Sequence, residues 1–208
     1  MLTETVAGRT YDYSYNVGRN AQSGMGFQGP LSMAQGVDGV VYVVNRGAET
    51  IGNVDWNRTG FGQRISRMKL GRASGEEEYL GEFSRYGDGD GQLIWPAGIA
   101  ADKNGLVYVT DEWLNRVSVF DKDGNYLRHW STVQPGDEDP NGSCRIAISG
   151  DGTIYITDGR SHKVRRFKTD GTFLGTWGTK GSGDGQFDSP WGITIGPDEK
   201  IYVADSNN

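Results

Sequence analysis

A single cysteine and two histidines among 208 residues close off several kinds of chemistry at the outset. With Cys144 alone there is no internal disulfide and no cysteine-built metal cluster. His129 and His162 leave little material for a zinc centre or a histidine-based acid–base pair. No apolar run approaches the roughly 20 residues that a membrane-spanning helix needs. Met1-Leu-Thr-Glu4 lacks the basic start and apolar middle of a secretory signal, so the default expectation is cytoplasmic. Positive charge is short as well: 21 Lys and Arg against 27 Asp and Glu give a net charge of −6. Broad phosphate binding needs a cationic face, so nucleic acid is not the expected partner.

Glycine, at 33 residues, and aromatics, at 11%, are plentiful and suit many hairpins around a sheet-packed core. The stretch from Pro96 to Trp130 holds four short apolar runs: Gly98–Ala101, Leu106–Thr110, Arg116–Phe120 and Tyr126–Trp130. Each is too short for a helix and rich in β-branched or aromatic residues. Asn104-Gly105 separates the first pair and Asp123-Gly124 the last, and both dipeptides reach positive φ at little cost. The unit reads as a four-stranded antiparallel meander, with strands a, b, c and d. Tyr108, Tyr155 and Tyr202 recur 47 residues apart inside near-identical b strands, and Tyr42 stands in a fainter copy. Meanders repeating at about 40–50 residues are the blades of β-propellers, each needing neighbours to cover its faces. The four tyrosines are therefore expected in the core, and Tyr155→Ala should cost about 3–5 kcal/mol.

Pro96-Ala-Gly-Ile99, Gly105-Leu-Val-Tyr-Val-Thr-Asp111, Asn115-Arg-Val117 and Phe120-Asp-Lys-Asp-Gly124 together resemble the NHL repeat, and Gly181-Ser-Gly-Asp-Gly-Gln-Phe187 is similar to its linker. The resemblance runs from Phe27 to Asn208. It implies an all-β propeller, six-bladed in most relatives. It also implies any of several activities: peptide-amidating lyase, lactonase-like hydrolase, RNA-binding domain or extracellular sensor domain. A fold that serves so many functions names none of them.

The repeat frame divides the single domain into a partial blade at 1–26, blades at 27–92, 93–142 and 143–186, and a partial blade at 187–208. Strand d of the first is expected at Tyr11–Gly18, with Leu2–Ala7 as its strand c. About four blades are present, an open arc expected to belong to a longer propeller. Two alternatives stand beside the arc: Leu2–Ala7 closes a four-bladed ring against Ile201–Asp205, or the open blade edges pair with another chain in self-association. The first complete blade carries a long b–c loop, Arg46–Gln63, as either a rim element or decoration.

Alternating strand directions put the b–c loops and d–a linkers on one face, where propeller ligands bind. The candidate ligand-binding residues there are Trp56, Arg58, Asp111, Trp113, Arg116, Asp158 and His162. Asp111, Asp158 and Asp205 end successive b strands and could together hold calcium or another divalent cation. The competing reading pairs them with Arg116 or Lys163, or has them cap loop amides. Their recurrence in each blade, and Asn45 in the first, favour that structural role, so no cofactor is expected. Asp137-Glu-Asp-Pro-Asn-Gly142 has calcium-loop spacing, but Ile148 stands where the bidentate Glu belongs. Gly87–Gly91 leads into a strand rather than a helix and is a linker, not a phosphate loop. Cys144 falls in a strand a as a small buried hydrophobe. The basic run Arg160–Lys168 splits its cations between two strand faces and reads as an ordinary solvated strand. The expected function is a binding or interaction scaffold for a protein or small-molecule ligand, with no catalytic set of its own. The alternatives are a metal-assisted lyase or hydrolase and an RNA-binding propeller.

Overall fold

A computed structural model describes residues 3–6, 9–12, 16–21, 23–47, 62–137 and 142–208. Strands β1 (Thr3–Val6) and β2 (Arg9–Asp12) form an antiparallel pair. Three four-stranded antiparallel sheets follow: β3 (Pro30–Gln35), β4 (Val40–Arg46), β5 (Gln63–Lys69) and β6 (Glu78–Phe83); β7 (Pro96–Ala101), β8 (Val107–Asp111), β9 (Arg116–Phe120) and β10 (Tyr126–Ser131); β11 (Ser143–Ile148), β12 (Ile154–Asp158), β13 (Lys163–Phe167) and β14 (Phe173–Trp177). The two-residue strands β15 (Thr179–Lys180) and β16 (Gln186–Phe187) pair in parallel, and β17 (Pro190–Ile195) pairs with β18 (Ile201–Asp205). Within each meander the order is a-b-c-d. Neighbouring sheets meet chiefly through their a strands, β3 on β7, β7 on β11 and β11 on β17, so strand a is innermost. This is the blade architecture of a β-propeller.

The core lies between blades. Tyr42, Val44 and Ile65 of the first sheet pack on Ile99, Val107, Val109 and Phe120 of the second. The opposite side chains of that second sheet, Tyr108, Val117 and Val119, pack on Ile146, Ile154, Ile156 and Phe167 of the third. Period-2 alternation thus gives β8 two apolar faces and two partners.

The four tyrosines hold one register position. Tyr42 stands opposite Ala34, Tyr108 opposite Ala100, Tyr155 opposite Ala147 and Tyr202 opposite Thr194. The side chains of Tyr42 and Tyr108 face the next blade along the chain, and burial at this position follows the cover it receives. Tyr42 and Tyr108 are covered by complete sheets and buried. Tyr155 meets the two-stranded β17–β18 sheet and is half-buried, edge-on to Trp177. Tyr202 is 53% exposed. The expectation of a fully buried Tyr155 is corrected accordingly.

Two expectations about the first residues also change. Of the strand expected at Tyr11–Gly18, Tyr11 and Asp12 lie in β2, residues 13–15 lie outside the described residues, and Asn16–Gly18 form no strand. Gly18 (φ +85°) and Gly178 (φ +99°) occupy the same position, and an added Cβ would collide with Phe27 or Phe187 in the same way. Positive φ at Gly18 turns the chain out of the ladder there. Of the segment expected to close a ring at Leu2–Ala7, the described residues Thr3–Val6 do not do so: β1 pairs with β2, and β18 belongs to a separate sheet with β17.

An arginine on each c strand anchors the linker that enters its blade. Arg64 donates to the carbonyls of Ala21 and Gly26, and Arg116 to those of Asp88, Gly89 and Gln92. In the third blade Lys163 holds this position, and the work passes to Arg165, two residues along the strand. Arg165 donates to the carbonyl of Thr132, the carboxylate of Asp137 at 2.7 Å and that of Asp158 at 2.6 and 2.8 Å. Two expectations fall here. Asp158 pairs with Arg165 rather than Lys163, and β13 is not a solvated strand, since Val164, Arg165 and Phe167 are buried. Asp137 is an arginine partner, with its amide contact at Gln134 N–H, rather than a calcium-loop ligand; the rest of that motif, 138–141, lies outside the described residues.

Tyr108→Ala should cost about 3–5 kcal/mol, as for other large buried aromatics, and Tyr155→Ala less. Tyr202→Ala should cost under about 1 kcal/mol, as at other surface sites. Equilibrium denaturation measures all three, and a loss at Tyr202 equal to that at Tyr108 would contradict burial by the following blade. Arg165→Ala leaves Asp158 buried without its cation and should cost about 3–5 kcal/mol. Burial alone would raise the Asp137 carboxyl. The Arg165 hydrogen bond, the Gln134 amide and the charges of Arg165 and Lys163 outweigh it and hold the group below the usual carboxylate range. Its stabilising contribution is therefore complete above the unfolded-state value and lost as pH falls through the lower folded one. Denaturation midpoints followed from neutral to acid pH should show a shallower acid loss in Asp137→Asn than in the parent.

Candidate functional site

Every strand a carries a register shift at its start: between Pro30 and Ser32, Pro96 and Gly98, Ser143 and Ile146, and Pro190 and Gly192. A β-bulge leaves the skipped residue unpaired and re-aims its side chain. The skipped residues include Leu31, Ala97, Cys144 and Trp191. Strand b of the preceding blade fixes the shift: the Thr110 hydroxyl donates to the Cys144 carbonyl at 2.6 Å, and the Thr157 hydroxyl to that of Trp191 at 2.7 Å.

At the same end of strand b, one residue further on, a side-chain acceptor ties the b–c loop to the incoming linker. Asp111 accepts from the backbone N–H groups of Ile94, Trp95, Trp113 and Leu114 at 2.8–3.2 Å. Burial pushes its carboxyl upward, and those four donors act against that. Asp205 accepts from the Asp188 N–H, and Asn45 from the Gln28 N–H. Asp158 accepts from the N–H and hydroxyl of Ser161 as well as from Arg165. The carboxylates of Asp111 and Asp158 are fully buried and occupied by these donors. Among the described residues no group of three His, Cys, Asp or Glu side chains is placed to hold a metal ion.

Between the bulges and the caps opens a cavity of about 760 Å³. Arg46, Trp95, Glu112, Trp113, Arg160 and Trp191 are its large lining side chains, and Gly142, Cys144 and Gly159 leave its third-blade side low. Arg46 stacks on the Trp95 ring at 4.1 Å and pairs with Glu112 at 2.5 Å. Glu112 also accepts from the Cys144 thiol at 3.2 Å. Burial, then the Glu112 charge, pushes that thiol far above its ordinary range, so thiolate chemistry is closed to it. His162 accepts the Ser189 N–H at Nδ1, 3.1 Å away, which puts the proton of the neutral ring on Nε2.

Of the sequence candidates, the structure brings Trp113 and His162 to the cavity. Asp111, Asp158 and Arg116 are absent from its lining and hold loops instead. Trp56 and Arg58 lie outside the described residues. Sequence inspection missed Arg46, Trp95, Glu112, Arg160 and Trp191. A signal for them was available in the repeat frame. All lining residues except His162 fall on four repeat positions: before the start of strand a (Trp95, Gly142, Ser189), just inside it (Leu31, Cys144, Trp191), and the first two after the strand-b cap (Arg46, Glu112, Gly159; Trp113, Arg160). These positions change from blade to blade, while the tyrosine and cap positions beside them hardly change.

The family model for the NHL repeat matches residues 93–120 and 187–208, which carry strands a to c of one blade and a and b of another. Protein lin-41 of Caenorhabditis elegans is 51% identical over 45 residues, 22% of this chain and 4% of that protein. RING finger protein nhl-1 of the same organism is 46% identical over 54 residues, 26% of this chain and 6% of that protein. The chain thus matches only a small part of these curated relatives. Among solved structures, hydrazine synthase of Kuenenia stuttgartiensis superposes with a TM-score of 0.56 at 15% identity, over 93% of this chain and 45% of that one. Regucalcin, a calcium-binding protein from Agrobacterium tumefaciens, gives 0.54 at 16%, over 82% and 51%. A catalytically inactive virginiamycin B lyase from Staphylococcus aureus, solved with quinupristin, gives 0.52 at 16%, over 91% and 66%. At such identities these likenesses concern the fold alone. The repeats and the four-stranded sheets make the fold a β-propeller, and the stretches 93–120 and 187–208 are NHL repeats by their match to the family model.

Proposed function

We propose that the chain is a binding propeller that takes its ligand at the cavity on the face of the b–c loops and d–a linkers. The observation that carries this reading is the division between repeat positions. Residues that build the blade recur, and residues that line the cavity vary. Trp113 and Trp191, 40% and 39% exposed, belong to neither core cluster, so stacking the sheets does not require them. Exposed tryptophans in a concave site are typical contributors of binding energy. A lyase or hydrolase needs a nucleophile or an acid–base pair. Among the described residues the Cys144 thiol is held protonated, and His129 sits on outer strand β10 against Tyr126. No feature of the cavity favours the catalytic alternative. The RNA alternative gains nothing from Arg165, whose charge is spent on Asp137 and Asp158.

A fragment library followed by nuclear magnetic resonance should shift the indole N–H signals of Trp113 and Trp191 in particular. Trp113→Ala and Trp191→Ala should each weaken the best fragment at least about tenfold, the loss typical of truncating a binding-site aromatic. Thermal unfolding should change little in both variants. If no library member touches these two signals, or if hits survive both substitutions at full affinity, the cavity is not the binding site.

A further inference from the structure

We propose a second binding site, along the outer edge of β18, that takes an extended peptide segment of a partner protein. The segment it fits carries an arginine and, four residues on, an aromatic or methionine side chain. Among the described residues β18 pairs with β17 alone, so its other edge can accept an added strand. The template is the strand c that each complete blade lays against its strand b. That strand opens with a cation opposite the cap: Arg64 opposite Asn45, Arg116 opposite Asp111 and Lys163 opposite Asp158. Four residues later it presents Met68, Phe120 or Phe167. On β18 the two corresponding register positions are Asp205 and Ile201.

The arginine has a cradle shaped for it. The Arg116 guanidinium donates to the carbonyls of Asp88 at 3.0 Å and of Gly89 and Gln92 at 2.8 Å. Linker 181–187 repeats the geometry of linker 87–93. Gly181 and Gly87 have φ of +148° and +145°, and Gly185 and Gly91 of +74° and +70°. The Gln186 N–H reaches the Gly183 carbonyl at 3.0 Å, and its Oε1 accepts the Gly183 N–H at 2.9 Å. Gln92 does the same with Gly89, at 3.1 and 3.0 Å. The carbonyls of Ser182, Gly183 and Gln186 thus stand as those of Asp88, Gly89 and Gln92 do before Arg116. Among the described residues the side chain that donates to this linker from outside it is that of Asn208, at the Gly181 carbonyl. Asp184 within the linker, Asp188 just past it and Asp205 at the facing position add negative charge suited to a cation. A planar fork of donors can bond several carbonyls at once, which an ammonium cannot match.

The aromatic position follows from the same register. Phe120 packs in the cluster of Tyr42, and Phe167 in that of Tyr108, so the end of strand c covers the tyrosine of the blade before. A side chain opposite Ile201 comes beside Tyr155 in the same way. Tyr155 is half-buried where Tyr42 and Tyr108 are buried, so it has apolar surface left to cover.

The test titrates the 208-residue chain with a capped peptide of residues 115–121, Asn-Arg-Val-Ser-Val-Phe-Asp, using calorimetry and amide nuclear magnetic resonance. Binding should shift the amide signals of Ser182–Gln186 and Ile201–Asp205. Arg116→Met or Phe120→Ala in the peptide should each weaken binding at least about tenfold, as for losing a charged hydrogen-bonding group or a buried aromatic. Arg116→Lys in the peptide should recover only part of that loss. Gln186→Ala in the chain should loosen the cradle and shrink the preference for Arg over Met, while the preference for Phe over Ala holds. A Met peptide that binds as tightly as the Arg peptide overturns the cradle, as does a full Arg preference in the Gln186→Ala chain. Unmoved Ile201–Asp205 signals overturn the edge site. Sedimentation that shows dimers joined through β18, which the peptide does not dissociate, gives the edge to a second copy and overturns the proposal.

Discussion

The ends of strands β4, β8 and β12 each depend on one buried acceptor, Asn45, Asp111 or Asp158, that must be satisfied by its surroundings. An ionised carboxylate removed from water is costly unless donors surround it, and here the donors are backbone N–H groups of separate segments. Asp111 gathers the linker that brings the chain in, at Ile94 and Trp95, and the loop that takes it out, at Trp113 and Leu114. Satisfying this one side chain fixes the spacing of both loops. Two of those four N–H groups belong to tryptophans of the cavity, so the cap that stabilises the blade also positions its ligand-facing residues. Asn45 does a smaller version of the same task with a neutral amide, accepting from Gln28 and donating to Val43 and Ser66.

A second constraint acts between blades. The bulge at the start of strand a frees a carbonyl, and the threonine of the preceding strand b occupies it, as Thr110 does for Cys144 and Thr157 for Trp191. Where Val44 and Ala204 replace threonine, that hydroxyl is missing. Between the first and second blades the mouth is tied instead by the Arg46–Glu112 pair.

The fold was legible because its causes repeat. Tyrosines 47 residues apart, Asp-Gly and Asn-Gly turns and alternating apolar runs all pointed to one architecture, and the capping role of the aspartates followed from their recurrence. The site was much less legible for the same reason. Trp191 and Glu112 occupy positions without a repeated residue type, and it takes the bulge to turn Trp191 into the cavity. Long side chains defeated the register as well. Lys163 does lie opposite Asp158, yet the guanidinium of Arg165 reaches past it to two carboxylates. Tyr155 looked equivalent to Tyr108 and is so in register. What differs is the width of the sheet that follows, which no residue near Tyr155 encodes.

The bulge has a consequence for how such a protein changes. Because it hands the mouth a side chain that the ladder does not use, a blade can alter what it presents to a ligand without altering how it stacks. Trp191, Cys144 and Leu31 are three answers at one address, with the same clasp or packing behind them. Blades behave as interchangeable cartridges: duplicating, losing or exchanging one rewrites a segment of the rim as a unit. New specificities can then arise by shuffling whole repeats, a coarser and faster route than point substitution within a single fixed pocket.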